Sequence, residues 1–313
     1  GMEFCPELGV SIPVGKDSMS MKSVWEEEGA KKSVTSPLSL IISAFAPTPD
    51  ARRTLTPQLR TDLGDTDLIL IDLGRGRARL GGSALAQVYG QVGNNAPDVL
   101  VAGHLKAFFE TMQKLNRDGR IVAYHDRSDG GLFVSLCEMM FAGHAGVTLD
   151  VDEMCYEQIR SDVEENGKEE PEIPSGSYSS RIFGVLFNEE LGAVLQVRRA
   201  DTPVVMQAFF DAGMRSEFHV IGTLNGADSM RILRNGAEVF HESRVDLQRA
   251  WAETTSQMQK LRDNPECAQQ EFDRILDALD PGLQAHATFD INDNIAAPYI
   301  SSGVRPAMAI LRE

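Results

Sequence analysis

The segment Ile121-Val-Ala-Tyr-His-Asp-Arg-Ser-Asp-Gly-Gly-Leu132 sets the reading of the whole chain. Ile121 to Tyr124 is apolar and aromatic and predicts a short strand. Asp126 to Gly131 is rich in turn formers. Beyond it Leu132, Leu136, Cys137, Met140 and Phe141 recur at helical spacing. A strand that passes through a glycine turn into a helix is a building unit of a sheet with helices packed on it.

Working outward, the same alternation recurs. Leu68 to Leu73 is a wholly apolar strand candidate, and Ser83 to Val88 opens a short helix. Pro97 fits a first helical turn, and Val101, Leu105, Phe108, Met112 and Leu115 follow at helical spacing up to Gly119. Val147–Val151, Ile182–Phe187, Ala193–Val197, Phe218–Thr223 and Met230–Leu233 predict strands, with a helix near Pro203 to Ala212. Upstream, Val10–Val14 and Leu38–Ala46 also predict strands, flanking a hairpin-like excursion from Glu26 to Lys32. Consecutive strands occur alongside strand–helix alternation, so the expected class is α+β: a mixed β-sheet with packed helices. Two helices follow, one carrying Leu247, Trp251, Met258 and Leu261. The other is capped by Asn264 and Pro265 and runs through Leu279.

The 313 residues carry 30 Lys and Arg against 46 Asp and Glu, a net charge of -16, which argues against neutralising a nucleic-acid backbone. Ten of the acids fall between Asp150 and Glu172 against Arg160 and Lys168, a solvated insertion in which no function is read. No apolar run reaches the roughly 20 residues that span a bilayer. Cys5, Cys137, Cys155 and Cys267 are scattered without zinc or disulfide spacing, which makes a reducing cytosol the expected compartment. Gly1-Met2 reads as a tag remnant. Ala307 to Leu311, after Pro306, reads as the opening strand of a further domain, or as a strand closing this chain's own sheet.

Three places have chemical potential. Ile12-Pro-Val-Gly-Lys-Asp-Ser-Met-Ser-Met21 resembles a phosphate loop, but Gly9 and Gly15 are separated by five residues rather than four, and Asp17 stands where Ser or Thr would bind magnesium. It reads either as a magnesium-bridged nucleotide site, with Asp17 on the metal and Ser18, Ser20 and backbone N–H groups on phosphate, or as a β-turn with a surface Asp. Tyr124–Leu132 exposes Gly130 and Gly131 at a helix start. Asp126 and Asp129 are cation ligands or caps there, and His125 a base or a structural histidine, with the local reading favouring caps. Arg79-Leu-Gly-Gly-Ser83 repeats the pattern with Gly82 and Ser83. Asn188 to Gly192 reads as a hairpin turn between two strands. His104, His144, His219, His241 and His286 are isolated and read as structural. Serine-hydrolase, zincin and dinucleotide motifs are absent.

Five blocks in order are similar to one family: Cys5-Pro-Glu-Leu-Gly9, Gly9–Lys22, Tyr124–Leu132, Phe187–Val197 and Gly303–Glu313. They resemble the large, single-chain phosphoribosylformylglycinamidine synthases of the aminoimidazole-ribonucleotide-synthetase-like superfamily. The acidic stretch Met154–Ser180 departs from that family by being longer. The resemblance implies the end of a second ATP-binding A-type domain at 1–62 and a second B-type domain at 63–236, with the acidic insertion at about 152–180. It further implies a helical linker at 237–303 and the first strand of a glutaminase at 304–313. It implies ATP-driven conversion of formylglycinamide ribonucleotide to the amidine through an iminophosphate, with ammonia from glutamine. Asp17 is then the Mg2+ ligand, and Gly15, Lys16, Ser18 and Ser20 hold ATP or ADP. No catalytic residue is assigned to the chain, which alone is expected to be inactive. Gly82, Ser83, His125, Asp126, Asp129, Gly130 and Gly131 remain candidates for an anion or substrate. The implied partners are the other domains of the polypeptide, the first A/B half and the glutaminase, with small-molecule substrates, no nucleic acid and no membrane. Two other readings stay open: a scaffold that positions the glutaminase, and a sister enzyme such as aminoimidazole ribonucleotide synthetase or selenophosphate synthetase.

Overall fold

The computed structural model describes residues 2–16, 21–36, 39–48, 50–155, 178–215, 217–277, 280, 282, 285–300, 302, 303, 307 and 309. The chain divides into two compact units, 1–252 and 253–313.

The first unit is organised by a seven-stranded sheet. β3 (Thr66–Asp72) lies in its interior, between β6 (Gly192–Arg198) and β7 (Phe218–Asn225), and pairs antiparallel with both. β4 (Ile121–Asp126) pairs antiparallel with β6 and forms one edge. On the other side β5 (Gly146–Asp150) pairs antiparallel with β7 and parallel with β8 (Ser229–Arg234). β9 (Ala237–Ser243) pairs antiparallel with β8 and forms the second edge.

Every residue of β3 is buried. Successive side chains point to opposite faces of a strand, so β3 feeds two cores. Leu68 and Leu70 join Leu132, Leu136, Met139 and Met140 of α4 (Gly131–Gly143) and Val185 and Leu186 of α5 (Tyr178–Phe187). Ile69 and Ile71 join Met112 and Leu115 of α3 (Ala102–Arg117) and Val205 and Phe209 of α6 (Thr202–Asp211). The sheet is thus mixed and covered by helices on both faces, as its apolar strands require.

Several expectations are corrected. Residues 10–14 and 39–46 form no strand and are exposed; the excursion between them makes a two-stranded hairpin, β1 (Lys22–Glu27) with β2 (Ala30–Thr35), itself exposed throughout. Apolar character alone does not make a strand when no neighbour completes its ladder. The third helix begins at Ala102, not at Pro97. Ile182–Phe187 lies in the ten-residue helix α5 rather than in a strand. A six-residue apolar run suits either state, and the upstream extension allows Phe183 and Phe187, one turn apart, to stack at 6.0 Å.

Residues 237–243, expected to start a helical linker, form edge strand β9. Asn235 and Gly236, both with positive φ (52° and 72°), make the two-residue connection from β8 to β9. Helix α7 (Arg244–Arg262) follows directly. In the second unit, α8 (Pro265–Arg274) is capped by Asn264 Oδ1, which accepts from Glu266 N at 2.9 Å and Cys267 N at 3.2 Å. Leu279, most of the terminal strand candidate and the acidic insertion from 156 to 177 lie outside the described residues.

Candidate functional site

The two glycine turns held as candidates for an anion or for capping meet on one carboxylate of the chain itself. Glu189 Oε1 accepts from Gly130 N at 2.8 Å and from Ala84 N at 2.8 Å. Gly130 is the N-cap of α4, and Ala84 is the first residue of α2 (Ala84–Val88). Both N–H groups belong to helix starts, where backbone donors lack intrahelical partners, and Glu189 supplies the negative charge. Glu189 sits in a helix-to-strand turn joining α5 to β6, not in the hairpin turn expected for residues 188–192.

The neighbouring residues of this turn are equally committed. Asn188 Nδ2 donates to Gly184 O at 2.7 Å and closes α5. Glu190, 1% exposed, receives Arg79 through Nε at 2.6 Å and Nη2 at 2.8 Å, and the Arg79 backbone N–H at 3.1 Å. Arg127 Nε donates to Glu190 O at 2.6 Å, and Arg127 Nη2 bonds Asp72 at the end of β3. Asp72 also accepts from Gly74 N at 3.1 Å and Gly76 N at 2.7 Å. Burial pushes the Asp72 carboxyl up, but the Arg127 guanidinium and the Gly76 N–H outweigh it and hold the group below its ordinary value. These residues form a satisfied polar knot. A cavity of about 20 Å³ beside Asp72, Arg127, Asn188 and His219 has room for about one water, not for a nucleotide.

The expected site residues separate into three groups. Asp17, Ser18 and Ser20 lie outside the described residues; Gly15 and Lys16 are exposed. Ser83 is the N-cap of α2: its Oγ accepts from Ala86 N at 3.2 Å and donates to Leu80 O at 2.7 Å. Gly82 is exposed with φ +75°. Gly130 and Gly131 have φ of +83° and +69°, and a Cβ on Gly131 would lie 2.6 Å from Asn188 O, so the glycine pair answers a backbone need. His125 pairs with Glu138, Asp126 accepts from the Tyr124 hydroxyl, and Asp129 is exposed. Burial and then the Asp126 carboxylate raise the Tyr124 phenol above its ordinary value.

Among the described residues no group of three or more His, Cys, Asp or Glu is placed to hold a metal ion. The residues that sequence reading missed are Glu189, Glu190, Arg127 and Asp72. Their signal was the acidic pair Glu189-Glu190, with Arg79 and Arg127 each in a glycine turn elsewhere in the chain, which has no periodicity to mark it. A separate open groove of about 760 Å³ runs between residues 46–55 and α3, lined by Arg53, Phe108, Met112, Asn116 and Tyr124 among others. None of the expected site residues lines it.

The model of the AIR synthase related protein C-terminal domain matches residues 67–234, more than half of the chain. The chain belongs to the AIR synthase related family. The model of the FGAR-AT PurM_N-like domain matches residues 1–47, so both matches agree with the family resemblance of the sequence blocks. Apart from Thr66, strands β3 to β8 and the polar knot lie within the larger match, while residues 15–20 lie within the smaller one.

Among solved structures, the chain is similar to T. maritima PurL complexed with FGAR at 11% identity and a TM-score of 0.49, covering 78% of this chain and 36% of that one. It is similar to T. maritima PurL complexed with ATP at 12% identity and a TM-score of 0.42, covering 68% and 28%. It is similar to E. coli HypE at 17% identity and a TM-score of 0.36, covering 59% and 50%. The chain thus spans about a third of the length of the PurL chains, and its family membership rests on the sequence models. No helix among the described residues is long and apolar enough to cross a membrane.

Proposed function

We propose that the chain is a part of an ATP-dependent carbon–nitrogen ligase of the phosphoribosylformylglycinamidine synthase type. What supports this reading is the order of the two matched domains, with the Gly15-Lys-Asp-Ser-Met-Ser20 loop inside the first. In this reading residues 1–62 end an A-type domain and 63–236 form a B-type domain. Strand β9 (237–243) completes the sheet of that B-type domain, residues 244–303 are a linker, and 304–313 open a glutaminase. The parent acts in the cytoplasm with its first A/B half and its glutaminase as partners.

The parent reaction converts an amide to an amidine. The amide oxygen of formylglycinamide ribonucleotide takes the γ-phosphoryl group of ATP, ADP leaves, and ammonia released from glutamine adds to the activated carbon as phosphate departs. This chain contributes one side of a nucleotide site: Gly15, Lys16 and Ser18 or Ser20 hold phosphate, and Asp17 the metal. The Asp17 carboxylate is an oxygen donor, which fits the hard cation Mg2+. When bound, Mg2+ neutralises the phosphate charge that would otherwise repel Asp17.

The test is the nucleotide and magnesium content of the full-length protein and its Asp17→Ala variant. Loss of both from the variant supports the site; unchanged content overturns it. Amidine formation by the isolated chain would overturn its assignment as one side of a shared site. The closure of both glycine turns onto Glu189 favours a second role for the β3–β9 domain, as a scaffold rather than a binding surface.

A further inference from the structure

One constellation beside the glycine turn has no part in the reading above. His125, the penultimate residue of β4, places Nδ1 2.7 Å from Asp126 O and Nε2 2.8 Å from Glu138 Oε2 on α4. The other Glu138 oxygen, Oε1, accepts from Trp251 Nε1 of α7 at 3.2 Å. A backbone carbonyl only accepts, and so does an ionised carboxylate. Both ring nitrogens thus face an oxygen within hydrogen-bond distance, so the imidazole is held from two sides. Glu138 thereby joins the strand that enters the turn to a helix more than a hundred residues further along the chain.

The surroundings fix the same three elements. The Trp251 ring lies 5.9 Å from that of Phe141, one turn beyond Glu138 on α4. The start of α7 is anchored by Arg244, 2% exposed, whose Nε and Nη2 bond Asp228 at 2.7 and 3.0 Å. Leu247 packs on the core between these anchors. The helix then runs on past Ala252, where the first compact unit ends. On β4 Asp126 and Tyr124 bond each other. On α4 Cys137, adjacent to Glu138, has its thiol pushed up to about 12 by burial and then by that carboxylate.

We propose that His125, Glu138 and Trp251 form a latch that couples the Asp126–Gly131 turn to α7, so that opening at either end is felt at the other. The three are positioning residues: a displacement of the turn is passed to the helix that leads into residues 253–313. This inference does not depend on the proposed reaction.

The test is backbone hydrogen exchange on the full 313-residue chain and its variants. Trp251→Phe keeps a ring against Phe141 and removes only the indole N–H. His125→Phe removes both ring nitrogens, and Glu138→Gln keeps volume while replacing one carboxylate oxygen by an amide. Trp251→Phe is expected to speed exchange about tenfold or less in residues 126–131 as well as in 244–252, the range set by one typical hydrogen bond. His125→Phe is expected to speed exchange in 244–252, and the double variant to change exchange by less than the product of the single effects. Glu138→Gln is expected to loosen both ends and serves if His125→Phe does not fold. Effects confined to the mutated element, or single effects that multiply independently, would overturn the latch.

Discussion

Leu68-Ile-Leu-Ile71 and Ile41-Ile-Ser-Ala-Phe45 are both apolar and both read locally as strands. In the fold, Leu68, Ile69 and Ile71 are 0% exposed, while Ile41 is 88% and Phe45 97% exposed. The first stretch is flanked by β6 and β7 and roofed by helices on both sides. The second has none of these partners among the described residues, where no residue from 2 to 48 is buried. The contrast teaches that strand propensity is realised only where distant chain supplies the ladder and the roof.

The largest test of this contrast compares ion pairs. Arg127→Ala leaves Asp72 buried with its countercharge removed and is expected to cost about 3–5 kcal/mol. Lys32→Ala breaks the exposed pair with Glu27 in the hairpin and is expected to cost about 1 kcal/mol or less. Urea unfolding of both variants measures the difference, and equal losses would break the comparison.

Next come the apolar stretches themselves. Leu70→Ala, at a side chain 2% exposed, is expected to cost about 2–5 kcal/mol. Ile41→Ala is expected to stay within about 0.5 kcal/mol. A large loss at Ile41 in the isolated chain would mean that the N-terminal stretch is packed after all.

The smallest effect is in acid. Asp72 has a folded value depressed below 3.8, so its contribution is present above that value. It is lost as pH falls through the ordinary and then the lower folded value, because the unfolded chain takes up the proton first. Asp72→Asn is expected to flatten the dependence of the urea midpoint on pH below about 4. Unchanged slope would remove Asp72 from the acid-sensitive knot.

Much of the domain is legible in the sequence. The strand–turn–helix at 121–141 and the buried run in β3 follow from periodicity and turn chemistry. The Asn235-Gly236 hairpin was legible too, through its two-residue turn signal, but polar β9 offered few apolar residues to draw attention to it. The Ile182–Phe187 run was ambiguous because a short apolar segment has no period of its own. At the glycine turns the residue types left an anion site and a capping role open; the group that meets the helix-start N–H donors was hidden because Glu189 is 59 residues from Gly130 and 105 from Ala84.

The sequence by itself determined the local grammar: which residues turn, which cap, which run is apolar enough to be central, and through its motif blocks the family. Tertiary structure alone decided which apolar stretches become buried strands and that the glycine turns close on Glu189. It also decided that Glu138 ties β4 to α7. Local chemistry is fixed within a few residues, whereas burial and charge pairing depend on groups brought within about 3 Å from distant parts of the chain.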